Sequence, residues 1–239
     1  MNFPKEVTVT DQRIDISFFS DTQKNFVRNI TESIISNYTQ SKAVRQIVGI
    51  AGPSGAGKSL LSVLVQTLAK DHYPNIPIYA VSIDAFHFHN NRLRAHHADE
   101  KTLMELKGRY DTYDISALEA KLNKFAALEA LSFPTYSRKL HEPVDDAIII
   151  EEGSGILIIE GLWLLYDDHG WENIRRYLSH TYFLSSGKNS LREHTIKRHI
   201  AGGRSEGEAA EQYEQNDLKN AELVLKTICI ADESLLWPN

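Results

Sequence analysis

Residues 52–59 read Gly52-Pro53-Ser54-Gly55-Ala56-Gly57-Lys58-Ser59, and the residue types at this spacing have chemical work to do. Glycines let successive backbone N–H groups converge on phosphate oxygens. The lysine reaches the β- and γ-phosphates, and the hydroxyl beside it can ligate Mg²⁺. The candidate phosphate contacts are therefore Gly52, Pro53, Ser54, Gly55, Ala56, Gly57, Lys58, Ser59 and Leu60, with Lys58 also a catalytic candidate and Ser59 a metal ligand. An apolar strand, 46–51, runs into the loop. A helical pattern leaves it, so that the positive end of the helix faces the anion. This combination implies binding of a nucleoside triphosphate, with ATP and Mg²⁺ the expected cofactors.

Two carboxylates end apolar runs elsewhere. Asp84 follows Ile78-Tyr79-Ala80-Val81-Ser82-Ile83, and Glu160 follows Ile156-Leu157-Ile158-Ile159. Transfer of a phosphoryl group needs one acid to organise Mg²⁺ and one to take the proton of the attacking hydroxyl. Two strand-terminal acids meet that need. A basic stretch, 188–204, carries Lys188, Arg192, Lys197, Arg198 and Arg204 in a chain of net charge −6. Lys197 has Glu193 as an i,i+4 partner and reads as solvated surface. Arg192, Arg198 and Arg204 are predicted to close over the phosphates as a lid spanning about 187–207, with Gly202 and Gly203 as a hinge.

The elements that must hold these groups alternate. Strands are predicted at 46–51, 77–83, 155–160, 180–184 and 223–228. Helices are predicted at 58–70, 100–107, 114–131, 171–179, 188–201 and 205–221, the last capped by Ser205 with Glu208. The expected fold class is α/β: a three-layer α/β/α P-loop NTPase architecture with a mainly parallel five-stranded sheet. In such sheets ligands lie beyond the carboxyl ends of the strands. Residues 1–44 form a small N-terminal extension. Two short strands lie around Asp11-Gln12, and a helix capped by Asp21 carries Phe26, Ile30, Ile34 and Tyr38. This part is expected to pack or to form a homodimer contact. The kinase domain would then occupy 45–239, with an acceptor-binding insert at about 86–145.

Composition bounds the partners. An acidic balance, with a pI of about 5.9, argues against broad nucleic-acid or anionic-membrane binding. No apolar run approaches the ~20 residues of a membrane span. One cysteine, Cys229, excludes an intrachain disulfide. A cytoplasmic protein is expected. The histidines His87, His89, His96 and His97 are not read as a zinc site, since no cysteine accompanies them. Trp163, Trp171 and Trp237 are read as packing.

Five motifs in order resemble one family. They are the phosphate loop, Asp84-Ala85-Phe86-His87, Lys107-Gly108-Arg109-Tyr110-Asp111-Thr112-Tyr113-Asp114, Pro134-Thr135-Tyr136-Ser137-Arg138-Lys139-Leu140-His141, and Ile159-Glu160-Gly161. Across about 45–225 the chain resembles the uridine kinase, phosphoribulokinase and pantothenate kinase superfamily. Within it, the chain is similar to a bacterial branch of nucleoside or fructose kinase-like proteins with a comparable N-terminal extension. The resemblance implies that Asp84 is the general base, that Glu160 helps organise Mg²⁺, and that Asp111 or Asp114 meets acceptor hydroxyls. It also implies that Tyr136, Arg138 and His141 line the acceptor pocket and that Asn216, Asp217 and Asn220 lie near the base of the nucleotide; His87 is a further acceptor candidate by its distance from Asp84 in the chain. Ala85 stands where glycine is common, and Tyr110 replaces the proline of a Lys-Gly-x-Pro motif. Both departures bear on the acceptor side.

The function expected is transfer of the γ-phosphate of ATP to a hydroxyl of a small-molecule alcohol, a sugar or nucleoside by preference because paired aspartates suit neighbouring hydroxyls. The rival readings are an ATP-binding regulator and an NTP hydrolase.

Overall fold

The computed structural model describes residues 3–238. The chain opens with an antiparallel hairpin, β1 (Glu6–Val9) and β2 (Gln12–Asp15), followed by a long helix, α1 (Asp21–Ser41). Ser20, not Asp21, caps that helix. Its side chain accepts from the Gln23 N–H while Gln23 reaches back to the Ser20 N–H, a reciprocal capping box. Asp21 instead adds negative charge to the first turn, where the helix dipole favours it.

Next come β3 (Arg45–Ala51), α2 (Lys58–His72) and β4 (Ile78–Ser82). An excursion follows with α3 (Asn90–Ala95), β5 (His97–Ala98), β6 (Lys101–Thr102), α4 (Ile115–Ala126), β7 (Leu131–Ser137) and β8 (Glu142–Ile150). The chain then returns through β9 (Gly155–Gly161), α5 (Trp171–Arg175), β10 (His180–Ser185), α6 (Lys188–Ala201), α7 (Glu206–Gln212), α8 (Leu218–Leu225) and β11 (Glu233–Leu236). The main sheet runs β11–β10–β3–β9–β4, and every pairing in it is parallel. Such a sheet is buried on both faces, so its strands carry continuous apolar runs; all seven residues of β9 are buried.

Each face has its own core. One joins Val48, Ile50 and Ile158 to Leu61, Leu64 and Val65 of α2, and to Val27 and Ile34 of α1. Val7, Val9 and Ile16 of the N-terminal segment share this core. The other joins Ile47, Leu157, Ile159 and Phe183 to Leu118, Leu122 and Phe125 of α4, Trp171 and Ile174 of α5, and Val224 of α8. Trp163 and Trp171 are fully buried, and their ring N–H groups donate to the carbonyls of Gly108 and Tyr110. Trp237 packs edge-on against Phe19 and Phe26.

Several predicted elements differ. Residues 223–228 are not a strand; Leu223–Leu225 end α8, whose one-sided burial follows a helical period, and β11 lies later in the chain. Residues 100–107 are not a helix, because Asp99 and Glu100 take positive φ values of 51° and 63° and turn the chain between β5 and β6. The helix predicted over 114–131 stops at Ala126, and Leu128 is left-handed. The β7–β8 hairpin that follows carries the Tyr136–Arg138 segment. The helix at 171–179 shortens to α5, and 205–221 divides into α7, a π-turn at Tyr213–Asp217, and α8. Ser205 does cap α7 with Glu208 as its partner.

Candidate active site

The phosphate loop leaves β3 at the centre of the sheet. Gly52 has φ +145°, and a Cβ there would stand 2.0 Å from the Leu184 carbonyl oxygen, so only glycine passes. Gly55 (φ +79°) likewise lies under α6, its missing Cβ being 2.7 Å from Thr195 Oγ1. Lys58 opens α2 and is buried, its ammonium donating to the Pro53 carbonyl at 2.9 Å. Burial lowers its pKa to about 8 against the raising influence of Glu160. Ser59 Oγ donates to Glu160 Oε1 at 2.8 Å. Glu160 is buried, and burial, with Asp84 adding to it, raises its pKa against the opposing pull of Lys58.

Glu160 and Asp84 come together because β4 pairs with β9, Ser82 standing opposite Glu160, and Asp84 follows two residues later. Burial alone would raise the Asp84 pKa. His87, Arg198, Arg138 and Lys58 outweigh it and hold the carboxyl below its ordinary value. His87 is itself pushed down to about 4 by burial, against the raising influence of Asp84. His87 bonds through Nδ1 to the Thr112 carbonyl at 3.1 Å and stacks on Tyr113, with ring centroids 3.9 Å apart. Tyr113 donates its hydroxyl to Asp84 Oδ1 at 3.4 Å.

In front of the loop lies a cavity of about 380 Å³ whose wall includes Ser54, Asp84, His87, Tyr136, Arg138, His141, Arg198 and Arg204. Thus Asp84, His87, Tyr136, Arg138, His141, Arg198 and Arg204 meet at one place, beside the phosphate loop. Arg198 donates to Ser54 Oγ at 3.2 Å and lies 3.6 Å from Asp217 Oδ1. Asp217 also bonds His199 at 2.7 Å, and His199 contacts Arg204 at 2.6 Å, so α6 and the π-turn form one network over the loop. His141 bonds the Gly202 carbonyl at 3.0 Å and ties the β7–β8 turn to the end of α6.

Three of the residues expected to contact ligands have partners within the chain and do not line this cavity. Arg192 does not face the cavity; it pairs with Glu214 at 3.3 Å and lies over the Tyr213 ring. Leu191, Thr195 and Arg198, spaced four and three residues apart, occupy the loop-facing side of α6, and Arg192 is turned ~100° from Leu191. Asp111 is held by Arg109 through two bonds of 2.8 and 2.6 Å and lines none of this cavity. Asp114 caps α4, accepting from the Ala117 N–H at 2.9 Å. Both aspartates are thus engaged by their own neighbours. Asn216 meanwhile donates to the Lys107 carbonyl at 2.9 Å.

Residues not foreseen also line the wall, namely Gln12, Asn90, Arg94 and Lys107, and Asp217, expected near the base of the nucleotide, lies there too. Lys107 donates to Asn90 Oδ1 at 2.8 Å and to the His141 carbonyl at 2.6 Å, and burial lowers its pKa to about 8. Its place in the Lys107-Gly108 motif is a signal the sequence carries. Gln12 has none, because a polar residue in a short hairpin is usually solvent-facing.

The donor set can be tested against the expected groups. A loop of converging amides with Lys58 suits a triphosphate, and a hydroxyl beside a carboxylate oxygen suits a hard cation that completes its shell with phosphate and water. Among the described residues, no cluster of three or more His, Cys, Asp or Glu could hold a metal by itself. No helix among them is long and apolar enough to cross a membrane.

This arrangement is that of a P-loop kinase superfamily member. The chain belongs to the Phosphoribulokinase / Uridine kinase family, whose profile matches residues 47–226. It is 30% identical to protein YggC of Escherichia coli across 92% of this chain and 90% of that one. It is 32% identical to a pantothenate kinase of Ligilactobacillus salivarius, over 53% of this chain but only 40% of that relative. In three dimensions it is similar to a candidate fructose transport system kinase of Silicibacter, with a TM-score of 0.75 at 23% identity, covering 89% and 98% of the two chains; this likeness is one of fold.

Proposed function

We propose that the protein is an ATP- and Mg²⁺-dependent kinase that phosphorylates a hydroxyl of a small molecule. The observation that carries this reading is the position of Asp84, a carboxylate in the cavity wall beside the phosphate loop, whose pKa burial would raise but His87, Arg198, Arg138 and Lys58 together hold below its ordinary value. In the reaction, Asp84 accepts the acceptor's hydroxyl proton as the oxygen bonds to the γ-phosphorus and ADP leaves. Arg198, anchored on Ser54 of the loop, offsets charge on the transferring group. Ser59 and Glu160 would hold Mg²⁺, which when bound neutralises phosphate charge. Lys58 exchanges its internal Pro53 bond for a phosphate oxygen.

The names of the relatives (pantothenate kinase, uridine kinase) support a small hydroxyl-bearing acceptor. The preference for a sugar or nucleoside loses its sequence argument, since Asp111 and Asp114 are already engaged. The test is ADP release with Mg-ATP across nucleosides, sugars, sugar phosphates, D-glycerate and pantothenate, with Asp84→Asn beside the wild type. Acceptor-dependent release that disappears in the variant supports the reading. Tight ATP binding without stimulation by any compound overturns it in favour of a regulator, and fast acceptor-independent turnover favours a hydrolase.

A further inference from the structure

The N-terminal hairpin reaches the cavity from outside the profile-matched region. At its tip Thr10 takes φ +56°, and the turn Thr10–Gln12 meets the end of β7. Asp11 Oδ2 accepts from Ser137 Oγ at 3.1 Å and from the Lys139 N–H at 3.0 Å. Ser137 Oγ in turn accepts from the Leu140 N–H at 3.1 Å. Thr10 gives its hydroxyl proton to the Val9 carbonyl at 2.6 Å, which leaves its oxygen free to accept from Arg138 Nε at 3.2 Å. These bonds tie together residues 126 to 128 positions apart.

This latch acts on a side chain of the cavity. Arg138 makes its hydrogen bond through Nε to Thr10, while the charges of Arg198, Asp84 and Glu160 bear on its guanidinium. A long side chain held at one nitrogen loses rotamer freedom before any ligand arrives, so the cost of ordering it is met in folding. The hairpin itself is anchored by Val7 and Val9 in the core beside α2, which makes the turn a fixed support. Gln12 lines the same cavity as Asp84 and Arg138, and among the described contacts its side-chain amide has no hydrogen-bond partner in the chain. An amide so placed offers two donors and an acceptor to whatever enters. Burial would raise the Asp11 carboxyl, but the Lys139 and Ser137 hydrogen bonds outweigh it and hold it ionised.

We propose that the turn Thr10–Gln12 is a working wall of the acceptor site: Thr10 and Asp11 position Arg138, and Gln12 hydrogen-bonds a polar group of the acceptor. The inference rests on the kinase reading and extends it. It makes residues outside the phosphate-loop domain determinants of acceptor selection, and it selects for an acceptor with a second hydroxyl, carbonyl or amide beyond the one phosphorylated.

The test uses the full-length protein as wild type, Asp11→Ala, Asp11→Asn and Gln12→Ala. Amide hydrogen exchange is read over 137–140. Steady-state kinetics use Mg-ATP and the best of D-glycerate, pantothenate, uridine, D-fructose and ribulose 5-phosphate. Asp11→Ala is expected to speed exchange at Lys139 and Leu140 and to lower kcat about tenfold with the ATP KM unchanged, and Asp11→Asn, which keeps an oxygen acceptor, to recover most of both. Gln12→Ala is expected to raise the acceptor KM about fivefold, one hydrogen bond's worth, with kcat and ATP KM near wild type. Unchanged exchange and kcat in Asp11→Ala, or an unchanged acceptor KM in Gln12→Ala, overturns this inference alone. Absence of stimulation by all five acceptors instead counts against the kinase reading, and the inference falls with it.

Discussion

Ser59 donates a 2.8 Å hydrogen bond to Glu160 across 101 residues of sequence, closing the first turn of α2 onto the end of β9. The bond exists because β3 and β9 pair in parallel with Ile50 opposite Glu160, so the residue that ends one strand faces the helix that follows the other. A hydroxyl and a carboxylate are thereby held together at the mouth of a loop built for phosphate.

If these two oxygens hold Mg²⁺, Glu160→Gln weakens the metal more than the nucleotide. The Mg²⁺ concentration for half-maximal rate should rise about tenfold or more, while nucleotide binding measured without metal stays within twofold. A magnesium titration at fixed ATP checks this, and equal loss of both would place Glu160 in folding instead.

On the kinase reading, Asp84→Asn removes the proposed proton acceptor but keeps the shape of the site. A loss of about 10²- to 10⁴-fold in kcat is expected, with ATP affinity retained. Because neighbouring cations hold Asp84 below its ordinary value, its protonation contributes no acid limb above about pH 5 in a profile of kcat/KM. An acid limb with a midpoint near 6 that disappears in Asp84→Asn would contradict the electrostatic account.

Lys58 has a folded pKa of about 8, below its ordinary 10.5, because burial penalises its charge. Between those two values the unfolded chain binds more protons than the nucleotide-free folded chain, so this group makes stability rise with pH across the window. Nucleotide affinity should move the opposite way, falling as pH passes 8 and the ammonium is lost. Calorimetric titration of Mg-ATP at pH 7, 8 and 9 checks the second trend, and thermal melts of wild type against Lys58→Met check the first. Affinity that is flat across this range would refute the assignment.

Arg198 and Arg192 differ by six residues on one helix and should differ sharply in effect. Arg198→Ala loses a cation fixed on Ser54 of the phosphate loop, and on the kinase reading kcat should fall about 10²-fold or more. Arg192→Ala breaks an exposed pair with Glu214, and exposed pairs contribute about 0–1 kcal/mol, so kcat should stay within twofold. Side-by-side kinetics decide, and equal losses would return Arg192 to the lid.

Asp114→Ala should cost about 1 kcal/mol of stability through its lost helix cap, and leave the acceptor KM unchanged. A raised acceptor KM without a change in melting temperature would show that Asp114 meets the substrate after all.

The motif order explains which parts of the site were legible in the sequence. The octet Gly52–Ser59 is a local device: its glycine conformations, the lysine and the helix that follows lie within a dozen residues, and short-range sterics determine them. Asp84 and Glu160 were legible because a carboxylate at the end of an apolar run has few other places to be in a parallel sheet. The β7–β8 hairpin and the 99–107 turns were not, since β7 contains Pro134 and the turn depends on left-handed Asp99 and Glu100.

The sequence by itself determined the phosphate loop, the two acids that face it and the basic helix above it, because each follows from neighbouring residues and one strand-to-helix geometry. The tertiary structure alone decided which polar side chains remain free to act. Asp111 is taken by Arg109, Asp114 by its own helix, Arg192 by Glu214 and Lys107 by Asn90 and the His141 carbonyl, whereas Gln12 lines the cavity with its amide unpartnered among the described contacts. Partnership between side chains depends on the rotation of a helix or the approach of a distant hairpin, and those are settled only when the two cores pack.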